Sequence, residues 1–504
     1  MTKKEFIIAL DQGTTSCRAC LVDADGYIQK TKQIKLTQLY PQTNWVEQDA
    51  NLIWNTQLSV LQSLFEDNDL SIQQILGLGI TNQRETIVCW NKKTGIPVYN
   101  AIVWQDQRTL DVCESLSVYK GLIKEKTGLL LNPYFSATKI KWILENVPAA
   151  QKALAEGELL CGTIDSWLIW KLSRNQVHVT DVSNAARTML FNIHTMSWDD
   201  ELLNLFNIPK SILPEVRPSG SLFAEINPSL LATNNNTSIK IMGVLGDQQA
   251  SLFGHLCHSE NMIKNTYGTG CFTLVNTGNK IVDSEHLLST VAWQIENQAV
   301  VYALEGSVFI AGSAIEWLKD ALRIIYDASE CDYYSNLIKN EDNPVYLIPA
   351  FKGLGAPYWD IHSKGAIFGL DLNTKREHIV WAVLQAIGFQ VSDLINAIKQ
   401  DLGIKEYILK VDGGISHSSN LMQFQSDILQ TYISKHKQYE TTSLGVAYLT
   451  GLMSGFYKDL SSLPAQQDAY QIYEPQKSLE EVEHLLNNWQ TAIKRVLNWS
   501  KEIK

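Results

Sequence analysis

The stretch Phe6-Ile-Ile-Ala-Leu-Asp-Gln-Gly-Thr-Thr-Ser-Cys-Arg-Ala-Cys-Leu-Val22 joins two apolar runs through a short polar turn. The runs Phe6–Leu10 and Cys17–Val22 are rich in β-forming residues and predict two strands. Gly13 permits close approach to the backbone, and the hydroxyls and amides of such a turn can hold phosphate oxygens. An ordinary hairpin turn is the alternative. A Walker A loop is excluded, because the pattern G-x-x-x-x-G-K-[ST] is missing.

The same arrangement returns in the second half of the chain. Met262–Thr266 predicts a strand, Tyr267–Gly270 a turn with two glycines, and Cys271–Val275 another strand. A third glycine site, Gly413-Gly414, follows a predicted strand and precedes a predicted helix. One such turn is more often structural, but three in this order favour two related α/β domains that face a shared cleft.

Length and composition agree with two large domains. The 504 residues are too many for one ordinary core, and 45% of them are hydrophobic. We therefore predict an N-terminal domain of residues 1–250 and a C-terminal domain of residues 251–504.

The net charge of −11 argues against binding to nucleic acid or to an anionic membrane, since both need clustered Lys and Arg. We find neither a signal peptide nor a run of about 20 apolar residues, and expect a cytoplasmic protein with reduced cysteines.

Two aspartates stand where strands are predicted to end. Asp11 follows the first strand, and an aspartate beside phosphates can hold Mg²⁺ through a water molecule. Asp247 follows the strand Val244–Gly246 and begins a predicted helix, whose dipole favours an ionised carboxylate. An ionised Asp247 could accept a proton from an attacking hydroxyl. A plain helix cap is the alternative for this residue.

Five segments resemble the glycerol kinase members of the FGGY carbohydrate kinase family. They are Ile8–Ser16, Gly79–Thr86, Asn100–Asp106, Asn265–Phe272 and Gly353–Asp360. The resemblance runs in order over about residues 5–455. It implies two actin-like (ribonuclease H-like) domains around a central catalytic cleft, with glycerol and phosphate on the first domain and the nucleotide on the second. It also implies phosphorylation of glycerol to sn-glycerol 3-phosphate with ATP and Mg²⁺, the first step of glycerol catabolism, by a homodimer or homotetramer.

The resemblance further implies a role for each matching residue. The implied glycerol contacts are Arg84, Glu85, Trp104, Tyr134, Asp247, Gln248 and Phe272. The implied nucleotide contacts are Thr14, Thr15, Ser16, Arg18, Thr269, Gly270, Gly312, Glu316, Gly414 and Ser418. The implied catalytic residues are Asp247, as the base, and Asp11, which also meets the metal through water. A polyol has little apolar area, so Arg donors and Glu acceptors suit its hydroxyls.

Two positions depart from the family's pattern. Glu316 stands where the family has Gln, and Ser418 stands where it has Asn. Both lie near the expected adenine and ribose, so they affect nucleotide preference more than the reaction. Residues 228–240 contain no Arg or Gly, and residues 210–240 contain no His. We therefore expect that neither fructose 1,6-bisphosphate nor phosphorylation of a histidine acts through this loop.

Three other functions stay open on these observations. A kinase for another small polyol or a pentulose would share the phosphate turns, but Arg84 and Glu85 with Trp104 and Phe272 suit a three-carbon chain. An actin-like ATPase module would need no hydroxyl-binding pocket. An inactive regulatory descendant is disfavoured, because the candidate catalytic and substrate residues are all present.

Overall fold

The computed structural model describes residues 4–66, 70–231, 237–338, 343–437, 440–464 and 469–502. Its strands are β1 Phe6–Gln12, β2 Ser16–Val22, β3 Ile28–Lys35, β4 Glu47–Gln48, β5 Ile75–Asn82, β6 Ile87–Asn91, β7 Ala101–Ile102, β8 Leu159–Thr163, β9 Val179–Asp181, β10 Phe191–Asn192, β11 Ser197–Trp198, β12 Glu215–Arg217, β13 Gly220–Glu225, β14 Lys240–Gly246, β15 Ile263–Tyr267, β16 Cys271–Gly278, β17 Leu288–Trp293, β18 Val301–Val308, β19 Tyr346–Ile348, β20 Ala366–Phe368, β21 Leu409–Asp412, β22 Ile433–His436 and β23 Tyr470–Tyr473. Its α-helices are α1 Ala50–Gln62, α2 Leu110–Ser115, α3 Lys120–Thr127, α4 Ser136–Asn146, α5 Pro148–Ala155, α6 Ile164–Leu172, α7 Val182–Ala185, α8 Asp200–Phe206, α9 Asp247–Gly254, α10 Gly312–Glu316, α11 Glu330–Ile338, α12 Arg376–Leu402, α13 Ser419–Leu429, α14 Thr441–Ser454, α15 Leu479–Lys494 and α16 Trp499–Glu502. Residues 232–236 lie outside the described residues. They belong to the loop of residues 228–240, in which we expect no regulatory site.

The first large sheet has the strand order β13-β14-β5-β1-β2-β3. β1, β2 and β3 form an antiparallel meander, while β5 and β14 continue from β1 as parallel strands. All seven residues of β1 are buried, as expected of a central strand covered on both faces. The carboxyl ends of the three parallel strands share one end of the sheet. Asp11, Arg84 and Asp247 lie at that end.

The second large sheet repeats this topology, with the order β17-β18-β16-β15-β21-β22-β23. β15, β16 and β18 form the antiparallel meander, and β21 and β22 follow β15 as parallel strands. The second hairpin predicted from the sequence is confirmed, since β15 and β16 pair across the glycine turn. The repeat seen in two short turns is therefore a repeat of a whole sheet.

Helices α9 and α14 touch each other through glycines. A Cβ atom at Gly445 would lie 1.8 Å from the carbonyl oxygen of Ala250, and one at Gly254 would lie 2.1 Å from that of Thr441. Only residues without a side chain allow the two backbones to come so close. Although α14 belongs to the C-terminal half of the chain, it packs on β1, β5 and β14. The halves are thus interlocked, and a boundary near residue 250 stays a prediction.

Gly445→Ala is expected to lower the free energy of unfolding by roughly 1–3 kcal/mol or more, because the added methyl group forces two helix backbones apart. Denaturant unfolding measures the change. Gly121→Ala is the matched control, since Gly121 lies in α3 with open space around its Cβ position. That control should leave stability unchanged or raise it by about 0.5–1 kcal/mol. Equal stabilities of the two variants would contradict the packing argument.

The 27-residue helix α12 runs through the core of the second domain. Its length and composition would allow it to cross a membrane, contrary to the expectation that no segment comes close. However, 89% of its most apolar stretch is buried inside the protein. It is a core helix, and its apolar character comes from being surrounded on all sides.

Candidate active site

The turn after β1 presents polar groups at the end of the first sheet. Asp11 and Arg18 are direct cross-strand partners, and Arg18 Nη1 donates to Asp11 Oδ2 at 2.9 Å. Glu440 pairs with the same guanidinium. Burial raises the pKa of Asp11 although Arg18 opposes the shift, and burial raises the pKa of Glu440 to about 7. Residues 14–16 form the tip of this turn, with Thr15 exposed.

A network of buried charges lies next to this turn. Glu305 accepts from Arg84 Nη1 at 2.6 Å and from Nη2 at 2.9 Å. Arg187 donates to Glu305 at 2.9 Å and to Glu85 at 2.6 Å. The four side chains are at most 1% exposed. The two guanidinium groups overcome the effect of burial at Glu305 and lower its pKa, whereas at Glu85 burial has the larger effect and raises the pKa.

Glu85 has a left-handed backbone conformation, with φ of 61°. This conformation is rare for residues other than glycine and costs energy. Ser136 Oγ donates to the Glu85 carbonyl oxygen at 3.1 Å and helps to hold it. Arg84 Nε lies 3.7 Å from the Glu85 carboxylate and 3.3 Å from that of Asp247. The strained residue therefore brings two successive side chains into one site, whereas a regular strand would send them to opposite faces.

Three aromatic rings form the apolar side of the site. The ring of Trp104 meets that of Tyr134 edge-on at 5.6 Å and that of Phe272 at 6.2 Å. Trp104 Nε1 donates to Thr14 Oγ1 at 3.0 Å, which joins the rings to the first turn. With Thr269 and Gly270 they line a cavity of about 110 Å³. Burial, and after it the charge of Glu85, raises the pKa of Tyr134, so this phenol lies close to the charged network.

Asp247 is the first residue of α9, as the sequence predicts. Its side chain is 30% exposed and so remains open to a ligand. Burial raises the pKa of Asp247 and outweighs the opposing charges of Arg84 and Lys264, a direction that the helix dipole alone does not predict. A raised pKa brings a carboxylate closer to what a general base needs at neutral pH. Gln248 is held by Lys264 Nζ, which donates to its Oε1 at 2.5 Å.

A second cavity, of about 440 Å³, lies on the second domain. Its lining includes Gly312, Glu316, Gly414 and Ser418. Gly413 has φ of 91°, a conformation that only glycine adopts readily. The N–H of Gly312 donates to the carbonyl of Gly268 at 3.0 Å. This bond links the second cavity to the glycine turn that lines the first.

The two departures from the family's pattern both have partners within the protein. The hydroxyl of Ser418 caps α13 by accepting from the N–H of Leu421 at 3.1 Å, and it donates to Asp332. The side chain of Glu316 is 55% exposed and pairs with Lys319. Both residues line the second cavity, so an effect on nucleotide preference stays the prediction.

Four buried charged residues of this region do not stand out in the sequence. They are Lys139, Arg187, Lys264 and Glu305. Lys264 lies among other polar residues in the short strand β15, whereas Glu305 interrupts the largely apolar strand β18. A charge in such a strand is a usable signal, because an unpaired buried charge is costly and implies a partner. Lys139 lies in α4 and Arg187 in the turn that follows α7, and no local pattern marks either residue.

Models of the FGGY family of carbohydrate kinases match both halves of the chain. The N-terminal domain matches over residues 6–254 and the C-terminal domain over residues 263–454. The chain belongs to the FGGY family of carbohydrate kinases. This FGGY kinase is 54% identical to the glycerol kinase of Mycoplasmoides gallisepticum, over 100% of its own length and 99% of the relative's. It is 52% identical to the glycerol kinase of Malacoplasma penetrans, over 99% of both chains.

Solved structures of other FGGY kinases share the fold. The structure of Plasmodium falciparum glycerol kinase with ADP is 34% identical, with a TM-score of 0.90 over 98% of each chain. Gluconate kinase from Lactobacillus acidophilus has a TM-score of 0.84 over 98% of each chain, but at 20% identity it is evidence for the fold alone. The predicted fold of two actin-like domains is confirmed.

Proposed function

We propose that this FGGY kinase transfers the γ-phosphoryl group of ATP to glycerol, which gives sn-glycerol 3-phosphate and ADP. The observation that carries the proposal is that Arg84, Glu85 and Asp247 meet close to Tyr134. Tyr134 in turn lines the cavity walled by Trp104 and Phe272. A three-carbon polyol offers hydroxyls to the charged groups and a short carbon chain to the rings. The relatives that are about half identical over the whole chain are glycerol kinases.

In this proposal the side chains mainly position and stabilise the reacting groups. Asp247 accepts the proton of the attacking hydroxyl, and Arg84 donates hydrogen bonds to the polyol. Trp104 and Phe272 exclude water, which competes with glycerol as the phosphoryl acceptor. The turns at residues 14–16 and 268–270 hold the phosphates through backbone amides and hydroxyls.

Asp11 fits a magnesium ion that is bound through water. Among the residues that the structure describes, no group of three His, Cys, Asp or Glu side chains could hold a metal ion. Mg²⁺ commonly keeps several waters and uses one or two carboxylates with substrate phosphates. Arg18 takes Oδ2 of Asp11, so Oδ1 is the oxygen left to hold a hydrated ion. Such an ion would supply positive charge that stabilises the phosphoryl group in transfer.

The nucleotide contacts and the cellular setting are proposals of the same kind. The lining of the 440 Å³ cavity supports Gly312, Glu316, Gly414 and Ser418 as contacts of the base and ribose. Resemblance to the family supports a cytoplasmic homodimer or homotetramer that performs the first step of glycerol catabolism.

ADP release by the purified protein with Mg·ATP tests the proposal. The acceptors to compare are none, glycerol and xylulose, and we expect strong stimulation by glycerol alone. Stimulation by xylulose, a pentulose, would favour a pentulose kinase. A xylulose kinase from Lactobacillus acidophilus shares the fold at 20% identity. Hydrolysis that is indifferent to every acceptor would favour an actin-like ATPase module.

A further inference from the structure

Lys139 is a fully buried cation beside the proposed glycerol site. Its Nζ donates to the backbone carbonyls of three successive residues, Pro133, Tyr134 at 2.8 Å and Phe135 at 3.1 Å. A lysine ammonium has three donors, so these carbonyls use its whole capacity. The ammonium thus holds the backbone segment that carries Tyr134.

This location is unfavourable for a lysine in two respects. Lys139 is the fourth residue of α4, near the helix end whose dipole repels a cation. Its charge is removed from water and faces neutral carbonyl groups. Because burying the charge of Lys139 there costs free energy, we expect this residue to serve the active site rather than the stability of the helix.

The segment held by Lys139 contacts the active site on its other side. The guanidinium of Arg187 lies 5.9 Å from the ring of Tyr134 and 5.2 Å from that of Phe135. The ring of Tyr134 lines the 110 Å³ cavity beside Trp104. A small shift of this backbone would therefore move a wall of that cavity, the proposed polyol cavity. Misplacements of about 1 Å in an active site can lower the reaction rate considerably.

We propose that Lys139 is a positioning residue for glycerol binding, whose ammonium holds Tyr134 in place at the polyol cavity. The proposal rests on the proposed function, because it takes Tyr134 to contact glycerol. Lys139 itself bonds to backbone carbonyls and acts on the substrate through Tyr134.

Titration gives Lys139 a signature that a packing residue would lack. Burial lowers the pKa of Lys139 to about 8, while Asp106, Glu85 and Cys113 oppose the shift and Arg108 adds to it. Below that pH the ammonium donates to all three carbonyls. Above it the amine has two donors, so one carbonyl loses its bond. The KM for glycerol should then rise as the pH passes about 8.

Steady-state kinetics of Lys139→Met test the proposal. We expect the KM for glycerol to rise about tenfold or more, the KM for ATP to stay within about twofold, and the rise above pH 8 to disappear. Lys141→Met is the matched control, since Lys141 lies on the same helix and pairs with Glu145 at 2.6 Å; its kinetics should not change. Lys139→Gln keeps two donors, so its KM for glycerol should lie between those of the unaltered protein and Lys139→Met. It also serves as the test if the Met variant does not fold.

A double-mutant cycle with Tyr134→Ala identifies the route of the effect. If Lys139 acts through Tyr134, then Lys139→Met raises the KM for glycerol in the natural background and adds little once Tyr134 is Ala. An unchanged KM in both Lys139 variants, or an equal rise in both backgrounds, overturns the proposal. Absence of glycerol-dependent turnover in the unaltered protein would instead overturn the proposed function, so the two failures are distinguishable.

Discussion

Asp247→Asn is expected to lower kcat by roughly 10²–10⁴-fold, because the amide cannot accept the proton of the attacking hydroxyl. Glycerol binding should change little, since Asn keeps the shape and a carbonyl oxygen near Arg84. Burial raises the pKa of Asp247, so kcat of the unaltered enzyme should fall as the pH drops through that pKa and the carboxylate takes up a proton. This acid limb should be missing from the variant. Steady-state kinetics over a range of pH, with calorimetric glycerol binding, measure these effects.

Asp200→Asn is the control for this experiment. Asp200 is also the first residue of a helix, α8, but its side chain is 79% exposed and pairs with Lys210. Its replacement should leave kcat and the pH profile unchanged. Near-normal turnover by Asp247→Asn would show that another group accepts the proton, and would return Asp247 to the role of a helix-start residue.

Glu305→Gln is expected to lower kcat/KM for glycerol by roughly 10²-fold or more, through misplacement of Arg84. The free energy of unfolding should fall by about 3–5 kcal/mol, because two buried guanidinium groups lose a shared counter-charge. Burial on its own raises the pKa of Glu305, but Arg187 and Arg84 outweigh it and lower that pKa to about 2. At neutral pH the carboxylate is therefore charged. Without that charge, Arg84 is expected to turn toward Glu85 or Asp247 and away from the polyol.

Glu260→Gln is the matched control for Glu305→Gln. The side chain of Glu260 is 48% exposed and pairs with Lys280 at 3.1 Å. Loss of a surface charge should change the free energy of unfolding by at most about 0.5 kcal/mol. Denaturant unfolding and kcat/KM should be measured on both variants. If Glu305→Gln were as stable and active as this control, the buried network would have no role in holding Arg84.

Much of the site follows from local sequence. Asp11 and Asp247 can be selected from the sequence, because each is a polar residue that ends an apolar run and precedes a turn or a helix. Such a residue is expected at the end of a strand or at the start of a helix. The glycine turns at residues 13 and 268–270 are found because glycine permits close backbone approach. The resemblance adds Arg84 and the aromatic residues, which no local rule would connect with one another.

The direction of the pKa shift of Asp247 and the pairing of Arg84 with Glu305 could not be found in this way. A helix start favours an ionised carboxylate, but it does not indicate the burial that raises the pKa of Asp247. Likewise α12 has the composition of a membrane span, and its burial in the core distinguishes it from one. Both properties depend on what surrounds a residue in space, which the neighbouring sequence does not record.

Strand ends, turns and helix starts were thus readable along the chain, since they depend on residues only a few positions apart. The assembly of the site was not, because Arg84, just after β5 of the first sheet, and Glu305, in β18 of the second, are 221 positions apart. A buried charge is stable only where opposite charges surround it. For Arg84, Glu85 and Asp247 supply such charges from its own domain, and Glu305 is added by the packing of the second domain against the first.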